Sequence, residues 1–432
     1  MKKYQAFIFE DYIFDSTTNK AVFSYSLDGE LFFTETIAWQ VEATDYSPQS
    51  LDSALFSLWI MAGISYYKAY LPKKIVISKG SLSKQQKLFF DKIYINGLAQ
   101  FFYTNSLDWK GQIDFPLSEA AKNTPIKSNG VGALVALGGG KDSIVAAELL
   151  KEVGIDFSCW VVNHGARFGA IADVLGADLV GVSRTIDPNL VRLNELDAYN
   201  GHVPITAIVG FIGVVLAILS GKKSLIWAIE SSTDEPNLIW RGLPINHQYS
   251  KTSMFEKDMA EYIKSNIAQD IEYYSVLRPF SELRIAKIFC ENYLDKYKAI
   301  FSSCNANFTV GNASKLGWCG KCPKCAFVFT VFSPFTSKIQ LMELFGGKNL
   351  FADPELKGTF EQLLGIDGHK PLECVGEIAE TRTAIAMSKK LGSYPELSSL
   401  KFDEPNYDYM SWRDSFMPKK LQEAIRQYLE PS

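Results

Sequence analysis

The chain has 432 residues, of which 47% are apolar and 21% charged, and its formal net charge is −4. That is the composition of a globular protein with two or three domains and a large core. The mild acidity excludes a chain drawn to nucleic acid by its overall charge, although it leaves room for a local basic patch.

The N-terminal segment MKKYQAFIFEDYIF alternates like a strand. It carries an acidic pair within its apolar stretch and lacks a small-residue cleavage site, so it does not read as a signal peptide. Two aromatic runs flank Asp28-Gly29, a strong hairpin signal. A helical stretch over 51–72 ends at Pro72, followed by strand-like KIVIS at 74–78 and a second helical stretch around 84–99. Residues 1–125 thus read as a small α+β domain, and KNTPIKSNG (122–130) has linker composition. Residues 126–330 alternate strand and helix. Strands are predicted near 133–137, 157–162, 178–182 and 224–229, with helices near 143–153, 168–175, 204–219 and 255–268. Such alternation predicts an α/β fold with a doubly wound parallel sheet and ligands at the carboxyl ends of its strands. Residues 203–220 carry no charge and approach the length of a membrane span. Their place between two strands favours a buried helix packed on the sheet, so no membrane association is expected. Residues 331–432 read as a mainly helical C-terminal region, and the chain shows no internal repeat.

The most informative segment is LVALGGGKDS, residues 134–143. An apolar strand runs into three glycines and then into a helix start. Glycines let a ligand approach the backbone, and the N–H groups of a helix N-terminus favour an anion. The spacing fits neither a Walker loop nor a dinucleotide fingerprint. It resembles the pyrophosphate loop, S-G-G-x-D-S, of the PP-loop ATP pyrophosphatase superfamily, with Gly138 standing where that motif has Ser. The resemblance implies a HUP-like fold and an enzyme that cleaves ATP between its α and β phosphates. Gly138, Gly139, Gly140 and Ser143 would hold pyrophosphate, Lys141 would supply a cation, and Asp142 would hold Mg²⁺. It also makes the end of the second strand (Val161, Val162, Asn163, His164) a wall for adenine.

Seven cysteines occur, and Cys319, Cys322 and Cys325 lie in WCGKCPKCAF, fifteen residues beyond Cys304. In a chain that uses ATP and lacks a secretion signal, the cytoplasm is the expected compartment and disulfides are unexpected. Two overlapping C-x-x-C pairs with a fourth Cys suit tetrahedral Zn²⁺ best, while an iron–sulfur cluster or free thiols also fit the spacing. Cys159 and Cys290 sit in apolar patterns and read as core.

Polar clusters supply the remaining candidates. His247 and Lys251 lie in WRGLPINHQYSK, which reads as a substrate loop or as a solvated connection. His369, Lys370, Glu373 and Cys374 lie in DGHKPLECVGE. Glu230 follows the last predicted strand and is expected to face the phosphate cleft, and His202 is expected to cap the apolar helix.

Taken together, GISYYKAYLP, GGGKDS, GHVPITAI, RGLPINHQYSK, LRPFSELRIA, WCGKCPKCAFVF and GHKPLECVGE resemble, in that order, the MurL type of ATP-dependent epimerase. Its substrate is the cell-wall precursor UDP-N-acetylmuramoyl-L-alanyl-L-glutamate. The resemblance implies inversion of the terminal L-Glu through an acyl-adenylate, with release of AMP and pyrophosphate. It assigns no proton-transfer residue. Among the candidates His247 comes first, followed by Cys374, Lys251 and Glu230. Two other classes remain open at this point. One is another adenylating member of the superfamily, acting on a deazapurine or a tRNA base. The other is a sensor that binds ATP without turnover, against which the intact Lys-Asp-Ser argues.

Overall fold

In the parallel strands, neighbouring residues face opposite sides, and both sides are apolar. Leu134, Trp160 and Leu225 join one hydrophobic core, while Val135, Cys159, Val161 and Ile226 join the other. The computed structural model describes residues 3–119, 124–163, 165–308 and 317–430. Its strands in chain order are β1 (Ala6–Asp15), β2 (Lys20–Leu27), β3 (Leu31–Trp39), β4 (Lys74–Ile77), β5 (Ala133–Ala136), β6 (Phe157–Val162), β7 (Leu179–Thr185), β8 (Ser224–Trp227), β9 (Leu238–Trp240), β10 (Leu243–Ile245) and β11 (Glu272–Ser275). Among the described residues nine of these form one sheet in the order β11-β8-β5-β6-β7-β3-β2-β1-β4, and β9 and β10 form a separate hairpin.

The five strands β11-β8-β5-β6-β7 run parallel. The chain winds outward from β5 through β6 to β7, then returns to β8 on the other side of β5 and ends at β11. The winding therefore reverses between β5 and β8, the position where α/β sheets open a ligand crevice. The four expected parallel strands are present, and β11 adds a fifth. Only four residues long, it follows a helix without a glycine or proline boundary, so no local signal set it apart.

The first segment does not stand clear of this sheet. β1, β2 and β3 form an antiparallel meander, and β3 pairs with β7 through Trp39 and Val182. The Asp28-Gly29 turn is a hairpin with φ of 55° and 68°, the left-handed values a tight two-residue connection needs. The apolar segment forms the helix Ile205–Leu219, packed between the sheet and the helix Pro48–Ala62. No described helix is long and apolar enough to cross a membrane. The helices Lys141–Glu152 and Ala166–Leu175 cover the opposite face, where Glu282–Asn292, Pro323–Phe332 and the C-terminal helices pack against them. The expected linker at 122–130 is described only from residue 124, and the expected His164 lies outside the described residues.

Candidate active site

In the loop after β5 the demand for glycine is strongest at Gly139. Gly139 has φ +75°, and a Cβ there would stand 3.0 Å from Phe168. A Cβ on Gly140 would stand 3.0 Å from Ser303. Gly138 differs: its φ is not left-handed, and a Cβ would have only Ser143 Oγ within reach, at 4.0 Å. The helix Lys141–Glu152 starts at Gly140 without a side-chain cap, which leaves its first N–H groups facing the loop. Ser143 Oγ donates to Gly140 O at 3.0 Å. Arg167, which the sequence reading missed, is buried beside this loop. Its Nε is 3.5 Å from the Cβ position of Gly139, and its guanidinium lies over the Phe168 ring.

Below the loop, Asp142, Glu230 and Glu282 bring carboxylate oxygens within 4.8 Å of one another. Glu230 extends from the end of β8, as expected, while Glu282 opens the helix Glu282–Asn292 and was not foreseen. The Lys141 ammonium is buried between Asp142 and Glu282, not in the open cleft. Lys324 approaches Glu282 at 3.6 Å. Against the effect of burial, Lys141 and Lys324 hold the Glu282 carboxyl below its usual range. Burial, with Glu282 and Asp142 nearby, pushes Glu230 up to about 7. Lys141 and Lys324 contact these carboxylates, and Lys251 lies within electrostatic reach of Glu230. An oxygen-only donor set of this kind suits a hard divalent cation. Glu380 lies behind it, accepting from the Glu282 N–H at 2.7 Å and from Tyr407 Oη at 3.1 Å. Burial, Glu377 and Glu282 push Glu380 up to about 8.

Beyond Glu230 the character of the site changes. His247 Nδ1 lies 2.7 Å from Gln100 Oε1, an acceptor, so Nδ1 carries the proton and Nε2 is left as the basic nitrogen. The His202 ring stands 4.5 Å from that of His247. Burial and Lys251 push His247 down to about 4, against Glu373. Burial, His247 and Lys251 push His202 down to about 3. His202 does not cap the apolar helix: Pro204 occupies the cap position and no side chain caps it. The pull of the His247 ring, on a distant loop, was invisible locally.

The polar run around His247 is mostly a set of buried braces. Asn246 Nδ2 donates to Thr233 O at 2.9 Å, and Gln248 Nε2 to Val375 O at 3.1 Å. Within it, Lys251 Nζ lies 3.2 Å from Cys374 Sγ. Despite burial, Cys374 and Glu230 hold the Lys251 ammonium above its usual range. Arg278, also missed, ties the two halves together. Its guanidinium donates to Glu230 O at 2.6 Å and to Lys251 O at 2.7 Å, and is itself anchored on Glu256. From the DGHKPLECVGE segment, Glu373 and Cys374 join the site. His369 instead contacts Tyr103 and the Lys370 carbonyl, and Lys370 pairs with Glu235.

Cys304, Cys319, Cys322 and Cys325 converge, with their sulfur atoms within 4.8 Å of one another. The Cys319–Cys325 pair is 3.7 Å apart, close to the ~3.8 Å that tetrahedral Zn–S bonds of ~2.3 Å impose. Cys322 caps the helix Pro323–Phe332, so Cys325 and Lys324 lie in its first turn. On the other strand of the knot, Ser302 N donates to Gly139 O at 3.0 Å, two residues before Cys304. The four-cysteine cluster is thus joined directly to the glycine loop. Cys159 is fully buried in the core and Cys290 packs at its edge, as expected.

Comparison with known proteins agrees with this organisation. The family model of the MurL N-terminal domain matches residues 1–276, and that of the MurL C-terminal domain matches residues 300–405. A protein of Xanthomonas oryzae pv. oryzae named UDP-N-acetyl-alpha-D-muramoyl-L-alanyl-L-glutamate epimerase is 36% identical over 394 residues, covering 90% of this chain and 86% of its own. A protein of Salinispora tropica with the same name is 34% identical over 455 residues, covering 100% of this chain and 98% of its own. The chain belongs to the MurL family.

Proposed function

We propose that this protein is an ATP-dependent epimerase that inverts the terminal L-Glu of UDP-N-acetylmuramoyl-L-Ala-L-Glu, releasing AMP and pyrophosphate and supplying D-Glu for peptidoglycan. Its relatives carry the name of that activity. The observation that carries the chemical reading is a glycine loop at the switch point of the sheet, linked through Glu230 and Lys251 to an imidazole that its surroundings keep neutral.

The α-hydrogen of a glutamate whose neighbouring carboxylate is ionised is very weakly acidic, because its removal puts a second negative charge beside the first. Joining that carboxylate to AMP removes the charge and lets the carbanion delocalise as an enolate. We read the loop as a PP-loop in a HUP-like sheet. Gly138, Gly139, Gly140 and the free N–H groups of the following helix cradle the departing pyrophosphate. Ser143 braces the turn, and Arg167 adds a cation beside the loop. Lys141 acts from inside, neutralising the carboxylates below it. Mg²⁺ would be held by Asp142, Glu230 and Glu282, and would shield the charge of the phosphates. This moves Glu230 from proton transfer to metal binding. His247, neutral at physiological pH and oriented by Gln100, takes the α-proton at Nε2. Zn²⁺ in the four-cysteine site would fix Ser302 and Ser303 against the loop, a structural role. We keep the division at 1–125, 126–330 and 331–432 as a functional one, a buttress, an ATP unit and a helical cover, in a protein of the cytoplasm.

The test is pyrophosphate release from ATP with the UDP-dipeptide as co-substrate, followed by chiral analysis of the glutamate. D-Glu formed in step with AMP and pyrophosphate supports the reading. ATP cleavage unaffected by the precursor contradicts it.

A further inference from the structure

We propose that Cys374 is the second proton-transfer group of the epimerisation, opposite His247, and that Lys251 holds its thiolate. This rests on the function proposed above. Inversion needs a proton to leave one face of Cα and another to arrive on the opposite face, which two groups flanking one carbon accomplish without turning the intermediate over. The loops that carry His247 and Cys374 are tied together on both sides of each residue. Asn237 Oδ1 accepts from the His247 N–H at 2.9 Å, while its Nδ2 donates to Pro371 O at 2.6 Å. On the other flank Gln248, next to His247, donates to Val375 O, next to Cys374. Glu373 is held by Asn305. The two groups are thus fixed relative to each other by buried bonds. Cys374 stands outside the four-cysteine knot, is half-buried and has the Lys251 ammonium at 3.2 Å. Lys251 is in turn fixed by Arg278 at its carbonyl.

The Cα–H bond of the adenylated L-Glu breaks, its proton goes to His247 Nε2, and its electron pair enters the enolate. The Cys374 S–H bond then breaks, its proton forms the new Cα–H bond on the other face, and the pair remains on sulfur beside the Lys251 ammonium. Solvent protons reset both groups, and in the reverse direction the thiolate is the base.

The reaction in D₂O tests this. With wild-type protein, the D-Glu product formed early carries deuterium at Cα while unreacted L-substrate stays protiated. Product that retains the substrate's own protium would overturn the assignment. With Cys374→Ser, pyrophosphate is still released, which also reports an intact fold. Inversion falls by about 10²–10⁴-fold, and deuterium enters the recovered L-epimer through His247. With His247→Gln the pattern is mirrored, and deuterium enters an added D-epimer instead. Inversion by Cys374→Ser at the wild-type rate would overturn the proposal while leaving the epimerase reading intact. Wild-type protein that cleaves ATP without inverting the substrate would overturn both.

Discussion

The two ends of the site treat charge in opposite ways. At the loop end, Asp142, Glu230 and Glu282 are packed with Lys141 and Lys324 in contact, and Glu282 stays ionised because the lysines are there. At the histidine end, the His202 and His247 rings contact each other at a tilt within reach of Lys251, and burial strips them of charge. Burial disfavours charge at both ends, and the partners decide whether it is overcome: the lysines keep Glu282 ionised, whereas Lys251 adds to the effect of burial on the histidines. The chemistry proposed above uses both results, a charged end for phosphate and metal and a neutral end for a base.

The largest expected effect comes from breaking the charged end. Asp142→Asn removes a carboxylate from the cluster and leaves the Lys141 ammonium with one partner fewer. Pyrophosphate release should fall by about 10³-fold or more, in the range seen when a charge-stabilising group is lost. A steady-state assay checks this, and a loss below tenfold would remove Asp142 from the site. His247→Gln breaks the other end and should separate the two halves of the reaction. Inversion should drop by about 10²–10⁴-fold while ATP cleavage continues. Equal loss of both would place His247 in adenylation instead.

The cysteine knot is a smaller lever, since it acts on the loop from behind. Cys322→Ser should lower stability by about 3 kcal/mol, as loss of a metal ligand does, and should release the metal. Denaturant unfolding with metal analysis tests this, and unchanged stability would argue against a bound ion.

Titration sharpens the contrast between the ends. Glu380 faces Glu377, Glu282, Glu230, Tyr407 and Arg413, and its carboxyl is raised from 4.5 to about 8. A raised carboxyl binds its proton more tightly when folded, so its contribution is complete below pH ~4.5 and is lost as pH rises towards 8. Glu380→Gln, which mimics the protonated form, should flatten that alkaline decline in thermal stability. His247 behaves in the opposite sense. Lowered to about 4, with His202, Lys251 and Glu373 around it, it should keep inversion active at pH 5.5, where an ordinary imidazole would be protonated. The smallest effect belongs to Gly138→Ser. The site has room for the side chain, so a change in stability of less than about 1 kcal/mol is expected.

How much of this was legible in the sequence follows from how local each constraint is. The geometry of the glycine loop was readable because strand, glycines and helix start are consecutive, and Gly139 is required by its own φ. The cysteine knot was readable from spacing. Glu282, Arg278 and Arg167 were not, since each comes from a separate element and carries no motif around it. The polar run about His247 misled for a related reason: Asn246 and Gln248 look like ligands for solvent or substrate, but they bond to backbone carbonyls of other loops. The joining of β3 to β7 was equally hidden, because a strand's sequence does not name its neighbour.

The most direct measurement is hydrogen exchange at the glutamate Cα of the UDP-dipeptide in D₂O, with ATP and with an analogue that cannot be cleaved between its α and β phosphates. The account predicts deuterium in the glutamate only where ATP is cleaved, because adenylation is what acidifies Cα for His247. Exchange that proceeds without ATP cleavage would contradict it.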